Sequence, residues 1–408
     1  MVNDAYFSRK ADAEAKLKKQ KKKDLSFSVF RLLLFLLSAF FFYLALSQNQ
    51  SNYFFATAFL LILFLGMLKK HQKVRAVVKE LKTLIQLNEN EISYLKGSLS
   101  AFDGGSEFID PNHLYAVDLD IFGENSLFAH LNRTSTLSGK KKLADELANP
   151  TTDNIPQKQQ AIKELSSKID WRQNFAVNGK LTEENPNLQR NIENWLQKRS
   201  RKNWATSPWL LYPLGAVCIS LLLYWFYDTT IQNFYLLLLA FGLNLALVFS
   251  QMKKIRMEAG LLDNIATSMS KYSQLLKQIE NIELKSDLLT SLKSKVASKT
   301  GKASSHLKEL SKILAAFEQL DNLVVKFFTN GLFHYHLHIL RQLYEWKERY
   351  SKNMIEWLDT IAEFDKWISI ANFAYNHPEF QFPEISEQKE MQAENLGHPF
   401  ISASKRVD

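Results

Sequence analysis

Four long apolar runs constrain this chain more than any other feature. FSVFRLLLFLLSAFFFYLALS occupies Phe27 to Ser47, and YFFATAFLLILFLGML follows from Tyr53 to Leu68 after the uncharged link QNQSN. A second pair comes far downstream: SPWLLYPLGAVCISLLLYWFY from Ser207 to Tyr227, and FYLLLLAFGLNLALVFSQM from Phe234 to Met252. A helix crossing roughly 30 Å of hydrocarbon needs about 17–25 apolar residues. Three runs meet that length and the second falls slightly short. Apolar residues surround each predicted helix instead of forming a stripe, which argues against buried hairpins of a water-soluble core. The chain is expected to cross a membrane as two helical hairpins.

The charges agree with that reading. Lys18, Lys19, Lys21, Lys22 and Lys23 precede the first run, and Lys69, Lys70, Lys73 and Arg75 follow the second. Lys198, Arg199, Arg201 and Lys202 precede the third, and Lys253, Lys254 and Arg256 follow the fourth. Between them the two short links hold one charged residue, Asp228. The excess of cations on one side puts both termini in the cytoplasm of a multi-pass inner-membrane protein. The net charge of +9 is then mainly a topology signal and an attraction for anionic lipid. A lone cysteine, Cys218, excludes an internal disulfide framework and a cysteine-based zinc site.

Outside the runs, few Gly and Pro and many Leu, Lys, Glu and Gln predict helices. HQKVRAVVKELKTLIQLNENEISYLKG (71–97) carries Val74, Val77, Val78, Leu81, Leu84 and Ile85 on one face, and FDGGSEFIDPNH (102–113) reads as a loop. Asp118 to Ile121 reads as a short extended piece, followed by a helix capped by Asn125 or Ser126. The next helix carries Leu143 and Leu147 and stops at Pro150; another begins near Pro156. Residues 253–330 read as heptad-rich helices packed in a bundle. The organisation is a basic N-terminal segment (1–26), hairpin 1 (27–68), a basic helix and loop (69–113), a helical region (114–206), hairpin 2 (207–252), lever and core helices (253–375) and a linker (376–408).

Several short patterns bear on chemistry. NRTSTLSGKKKL (132–143) has the Gly-Lys pair of a phosphate loop, but Thr134 stands where that loop needs its first Gly and Lys141 where it needs Ser or Thr. Gly139 reads instead as a small residue that lets a neighbouring helix approach, with Lys140 and Lys141 facing solvent. His334 and His338 would share one face of a helix, the spacing of a two-histidine metal site, yet nothing nearby completes a ligand set. Amphipathic-helix histidines are the preferred reading. The stretch 294–310, with Lys295, Lys299, Lys302 and Lys308, reads as a basic loop that could touch phosphate, a plain solvated loop being the preferred reading. No catalytic motif occurs in the sequence.

DLDIFGENSLFAHLNRTSTLSGKKKLADELANP, with the following IPQKQQAIKEL and WRQNF, resembles the core region of MutS-type mismatch-repair ATPases. The matching positions are Leu127, Leu131, Asn132, Thr134, Thr136, Gly139, Lys142, Leu143, Pro150, Ile155, Gln159, Ala161 and Leu165, with Lys158 where the family has Arg. AENLGHPFI is similar to the family turn before the ATPase, through Gly397, His398 and Pro399. The resemblance covers about half the chain and implies a MutS-core-like helical bundle with long levers; with the two transmembrane hairpins read from the apolar runs, which are foreign to the repair enzymes, the fold expected is mostly α. It implies a membrane-anchored relative whose complete form couples ATP binding and hydrolysis to the binding of DNA, mismatched DNA included, with a homodimer as its assembly. The residues contain no Walker loop, so ATP and Mg²⁺ are expected only with a further ATPase domain, and the chain reads as a truncated form. The alternative is a membrane scaffold that reuses the lever architecture without binding DNA.

Overall fold

The computed structural model describes residues 2–48, 50–198, 204–261, 265–298, 301–318, 323–386, 391–394 and 396–401. Helices dominate, as the composition requires, and they gather into two compact units, one of residues 1–133, 147–181 and 368–408, the other of 134–146 and 182–367.

In the first unit, α1 (Val2–Gln48) and α2 (Ser51–Leu95) form an antiparallel hairpin. No Gly or Pro occurs before Gly66, so nothing breaks α1, and it runs about 70 Å at 1.5 Å per residue. The basic segment and hydrophobic run 1 are thus one helix. Phe35 packs on Phe64 and Phe42 on Phe54 inside the apolar part. Near its edge Arg31 meets His71, which is buried and also pairs with Asp24 at 2.7 Å. Beyond it, Lys10 reaches Glu89 at 2.8 Å. The same unit holds α3 (Leu127–Leu131), the end of α4 (Leu137–Ala148), α5 (Ile155–Ser166) and α6 (Ile169–Lys180). Ser126 caps α3 by accepting from the Ala129 N–H at 3.2 Å. Asp118 to Ile121, expected to be extended, is a series of turns in which Asp120 takes a φ of 47°. The chain turns back there, and the Phe128 N–H donates to Ile121 O, so local turn bonds replace a strand ladder.

The second unit begins with most of α4 and continues through α7 (Leu188–Gln197) into α8 (Pro208–Tyr227) and α9 (Ile231–Ser250), the second apolar hairpin. All four runs lie in helices long and apolar enough to cross a membrane. After α10 (Met252–Leu261) come α11 (Ile265–Asn281), α12 (Asp287–Ser294), the β1–β2 hairpin (Ala297–Ser298 with Gly301–Lys302) and α13 (Ala303–Glu318). α11 and α13 pack side by side through Met269, Leu276, Leu307 and Leu314. Of the stretch 294–310, read as a basic loop, the described residues include the two paired strands and the start of α13, which carries Lys308.

α14 (Leu323–Phe333) departs from the lever reading and packs on α8 and α9. α15 (Tyr335–Asn376) follows and supplies residues to both units. The three histidines do not share one helix. His334 is the break between α14 and α15 with φ of 50°, the His336 ring meets Asn330 Oδ1 at 2.9 Å, and His338 lies against Tyr212. A left-handed residue at the break rotates the following side chains out of the expected register.

Candidate functional site

The stretch that mimics a phosphate loop does bind an anion, but the anion is a side chain of the same protein. Thr136 is the residue before α4 and caps it, its Oγ1 accepting from the Gly139 N–H at 3.0 Å. The N–H groups at this terminus point outward with the positive end of the helix dipole. Asp365 of α15 fills the position. Its Oδ2 accepts from the Ser135 N–H at 2.9 Å and from the Thr136 N–H and Oγ1, both at 2.8 Å; Ser135 Oγ donates to Oδ1 at 3.1 Å. Next to it, Glu184 Oε2 accepts from the Leu137 N–H at 2.7 Å, and Lys271 pairs with Glu184 at 2.8 Å.

Asp365 is buried, and burial pushes its carboxyl up to about 6, while the Thr136 and Ser135 donors pull the other way. Gly139 is what permits the approach: a Cβ there would stand 2.4 Å from Asp365 Oδ2. The expectation of a small residue at a helix contact is therefore met, with a buried carboxylate as the contact. Lys142 bridges Asp359 at 2.7 Å and Glu363 at 3.0 Å, and Lys141 is exposed. A cavity of about 200 Å³ opens beside the terminus, lined by Thr136, Ser138, Lys141, Lys142 and Tyr272 among others. The arrangement fixes the start of α4 to α15. A ligand phosphate could enter only by displacing Asp365.

Of the other positions in the MutS-like pattern, Asn132, Pro150, Gly397, His398 and Pro399 fall in the first unit. Asn132 ends α3 and donates from Nδ2 to Asp103 O at 3.1 Å. Pro150 is exposed just after α4. Thr134 is half-buried and belongs to the second unit, one residue before the Asp365 cradle. Gly397, His398 and Pro399 form a surface turn closed by the Ile401 N–H to His398 O, and the adjoining Phe400 stacks on His130 at 3.7 Å. Burial, then the charge of Arg133, lowers His130 to about 4, so this stacked ring is neutral near pH 7.

Sequence reasoning missed the polar core of this unit. The Arg133 Nε donates to Glu91 Oε1 at 2.6 Å, with both side chains about nine-tenths buried, and its guanidinium lies 3.5 Å from the Phe102 ring centre. Asn376 at the end of α15 donates to Glu91 Oε2 and accepts from the Tyr6 hydroxyl, each at 2.8 Å. From the sequence Glu91, paired with Glu89 in a polar run, reads as part of a solvated face; the structure buries it instead. Its partners lie too far along the chain to be read from it.

Of the three lysines proposed for phosphate contact, Lys295 and Lys302 are exposed at the two sides of the β1–β2 hairpin, and Lys299 lies outside the described residues. Lys285 is exposed just before α12. Glu283 and Asp287 are exposed on either side of Lys285, so the stretch between α11 and α13 carries exposed charges of both signs. Among the described residues no three His, Cys, Asp or Glu side chains are grouped as a metal site would need. Comparison with protein-family models, curated proteins and solved structures finds no match to this chain.

Proposed function

We propose that the chain is the membrane-anchored helical core of a MutS-like protein, in which the α11–α13 pair works as a lever with a nucleic-acid-binding tip. The observation that carries the reading is the stretch between those two packed helices, in which Lys285, Lys295 and Lys302 stand exposed. Phosphate backbones are held by clusters of this kind, without base contacts. Further support comes from the segment with the MutS-like pattern: Phe128, Leu131, Leu143 and Leu165 are core residues, and its Thr-Ser-Thr run holds Asp365. In this reading the four apolar helices anchor the protein in the inner membrane with both termini in the cytoplasm. ATP and Mg²⁺ enter only through a nucleotide-binding part outside these residues, and self-association would follow the MutS pattern.

The test is titration of the full chain in lipid nanodiscs with a fluorescent DNA duplex at several salt concentrations. Binding should weaken as salt rises, and replacing Lys285, Lys295 and Lys302 together by Gln should reduce the logarithmic salt slope by about 3, near 0.9 per phosphate contact. Binding that ignores both salt and the substitutions would favour the scaffold alternative.

A further inference from the structure

We infer that α14 and the first turns of α15 form a re-entrant hairpin, a fifth membrane-inserted element whose partner is the hydrocarbon of the bilayer. The inference rests on α8 and α9 crossing the membrane. Backbone that leaves helical geometry at membrane depth survives only if its polar groups are satisfied inside the protein. At the α14–α15 corner protein groups satisfy several of the freed backbone groups, although both ring nitrogens of the buried His334 lack a hydrogen-bond partner among the described residues. The break at His334 removes the helical partner of the Gly331 carbonyl, and two side chains of the apolar hairpin replace it: Asn244 Nδ2 donates at 2.8 Å and Cys218 Sγ at 3.6 Å. The His334 and His338 N–H groups donate to Asn330 O and His334 O, and Asn330 Oδ1 accepts from the His336 N–H at 3.1 Å, capping α15.

Depth follows from the same contacts. Cys218 lies ten residues into α8 from Pro208, and Phe241 nine residues before the end of α9. At 1.5 Å per residue these are about 15 and 14 Å, near the middle of roughly 30 Å of hydrocarbon. Phe241 packs on Phe327 at 5.1 Å, and a Cβ on Gly331 would lie 2.2 Å from its ring, so glycine is needed for this approach. The way out is marked as well. Leu337 and Leu340 pack with Leu211 and Val248, and Arg341 then donates to the Tyr212 hydroxyl, only about 6 Å from the start of α8.

The outer side of the element is apolar. Phe327, Phe328 and Phe333 are each about half exposed, as are Leu239 and Leu243 of α9, with the half-buried Lys326 the one charged residue of α14 among its described side chains. In water this would be an unfavourable patch; beside α8 and α9 it is one more lipid-facing surface. Asn244, an amide inside an otherwise apolar run, has its explanation here.

The experiment is thiol labelling of the full chain in nanodiscs, on a Cys218→Ser background that keeps a donor to Gly331. Single variants Phe328→Cys and Phe333→Cys are compared with Leu239→Cys and Lys308→Cys, using a membrane-impermeant maleimide. Both Phe positions should react at least about 10-fold more slowly than 308 and match 239, because the reactive thiolate is disfavoured in hydrocarbon. Rapid reaction at 328 and 333 with 239 protected would overturn the re-entrant hairpin alone. Rapid reaction at 239 as well would overturn the membrane crossing on which it depends.

Discussion

Asp365 accepts from two backbone N–H groups and two hydroxyls of the Thr-Ser-Thr run, in a buried setting. Truncation by Asp365→Ala leaves those donors without an acceptor and should cost about 3 kcal/mol, since the penalty for an unpaired buried group outweighs the net worth of one bond. Thermal unfolding of the solubilised chain would measure it. The pH dependence has a definite sign. The carboxyl titrates at about 6 in the fold against an ordinary 3.8, so its contribution to stability is full below 3.8 and is lost as pH rises through about 6. Unfolding free energy should fall across that window, and Asp365→Asn should flatten the fall; identical profiles for the two proteins would contradict the assignment. Gly139→Ala would force its methyl against Asp365 and should cost about 1–3 kcal/mol as overpacking does. The small residue at Gly139 was legible from the local sequence. The carboxylate it serves was not, because it is brought there by a helix some 230 residues further on.

Single helices here combine parts that the sequence presents as separate. The lysine-rich start and the first apolar run are both in α1, and the second run continues through the basic stretch to Leu95 in α2. The pattern of Val and Leu after residue 71 was readable as one packed face, and α2 confirms a helix over it. What ties the ends of these helices into a core is the Glu91–Arg133–Asn376–Tyr6 network. A buried charge left alone is costly, so Glu91→Ala should destabilise by about 3–5 kcal/mol, whereas replacing the whole network by apolar residues of similar volume would cost far less. Chemical denaturation monitored by tryptophan fluorescence distinguishes the two, with Trp171 reporting from the same unit. The histidines teach the opposite lesson. Their spacing assumed one continuous helix, and a left-handed residue at His334 divides it.

For the whole molecule, the proposed topology makes a direct prediction. A protease site inserted at residues 48–52 should be cut from outside spheroplasts and remain intact to a cytoplasmic protease, while a site near the N-terminus should behave in the reverse way. Cutting of the 48–52 site by the cytoplasmic protease would exclude the orientation. Composition and periodicity by themselves determined that the chain is helical and that four helices can cross a membrane, but not that the first begins at Val2 and the second runs on to Leu95. Those properties are local: they follow from apolar length, side-chain period and the scarcity of Gly and Pro. Only the tertiary structure decided what satisfies the buried polar groups. It set Asp365 on the α4 terminus, Glu91 on Arg133, and Asn244 on the Gly331 carbonyl. Each is a pairing across a long stretch of chain, fixed by the need to satisfy a charge or a backbone group removed from water, and no spacing along the sequence encodes which distant residue will meet that need.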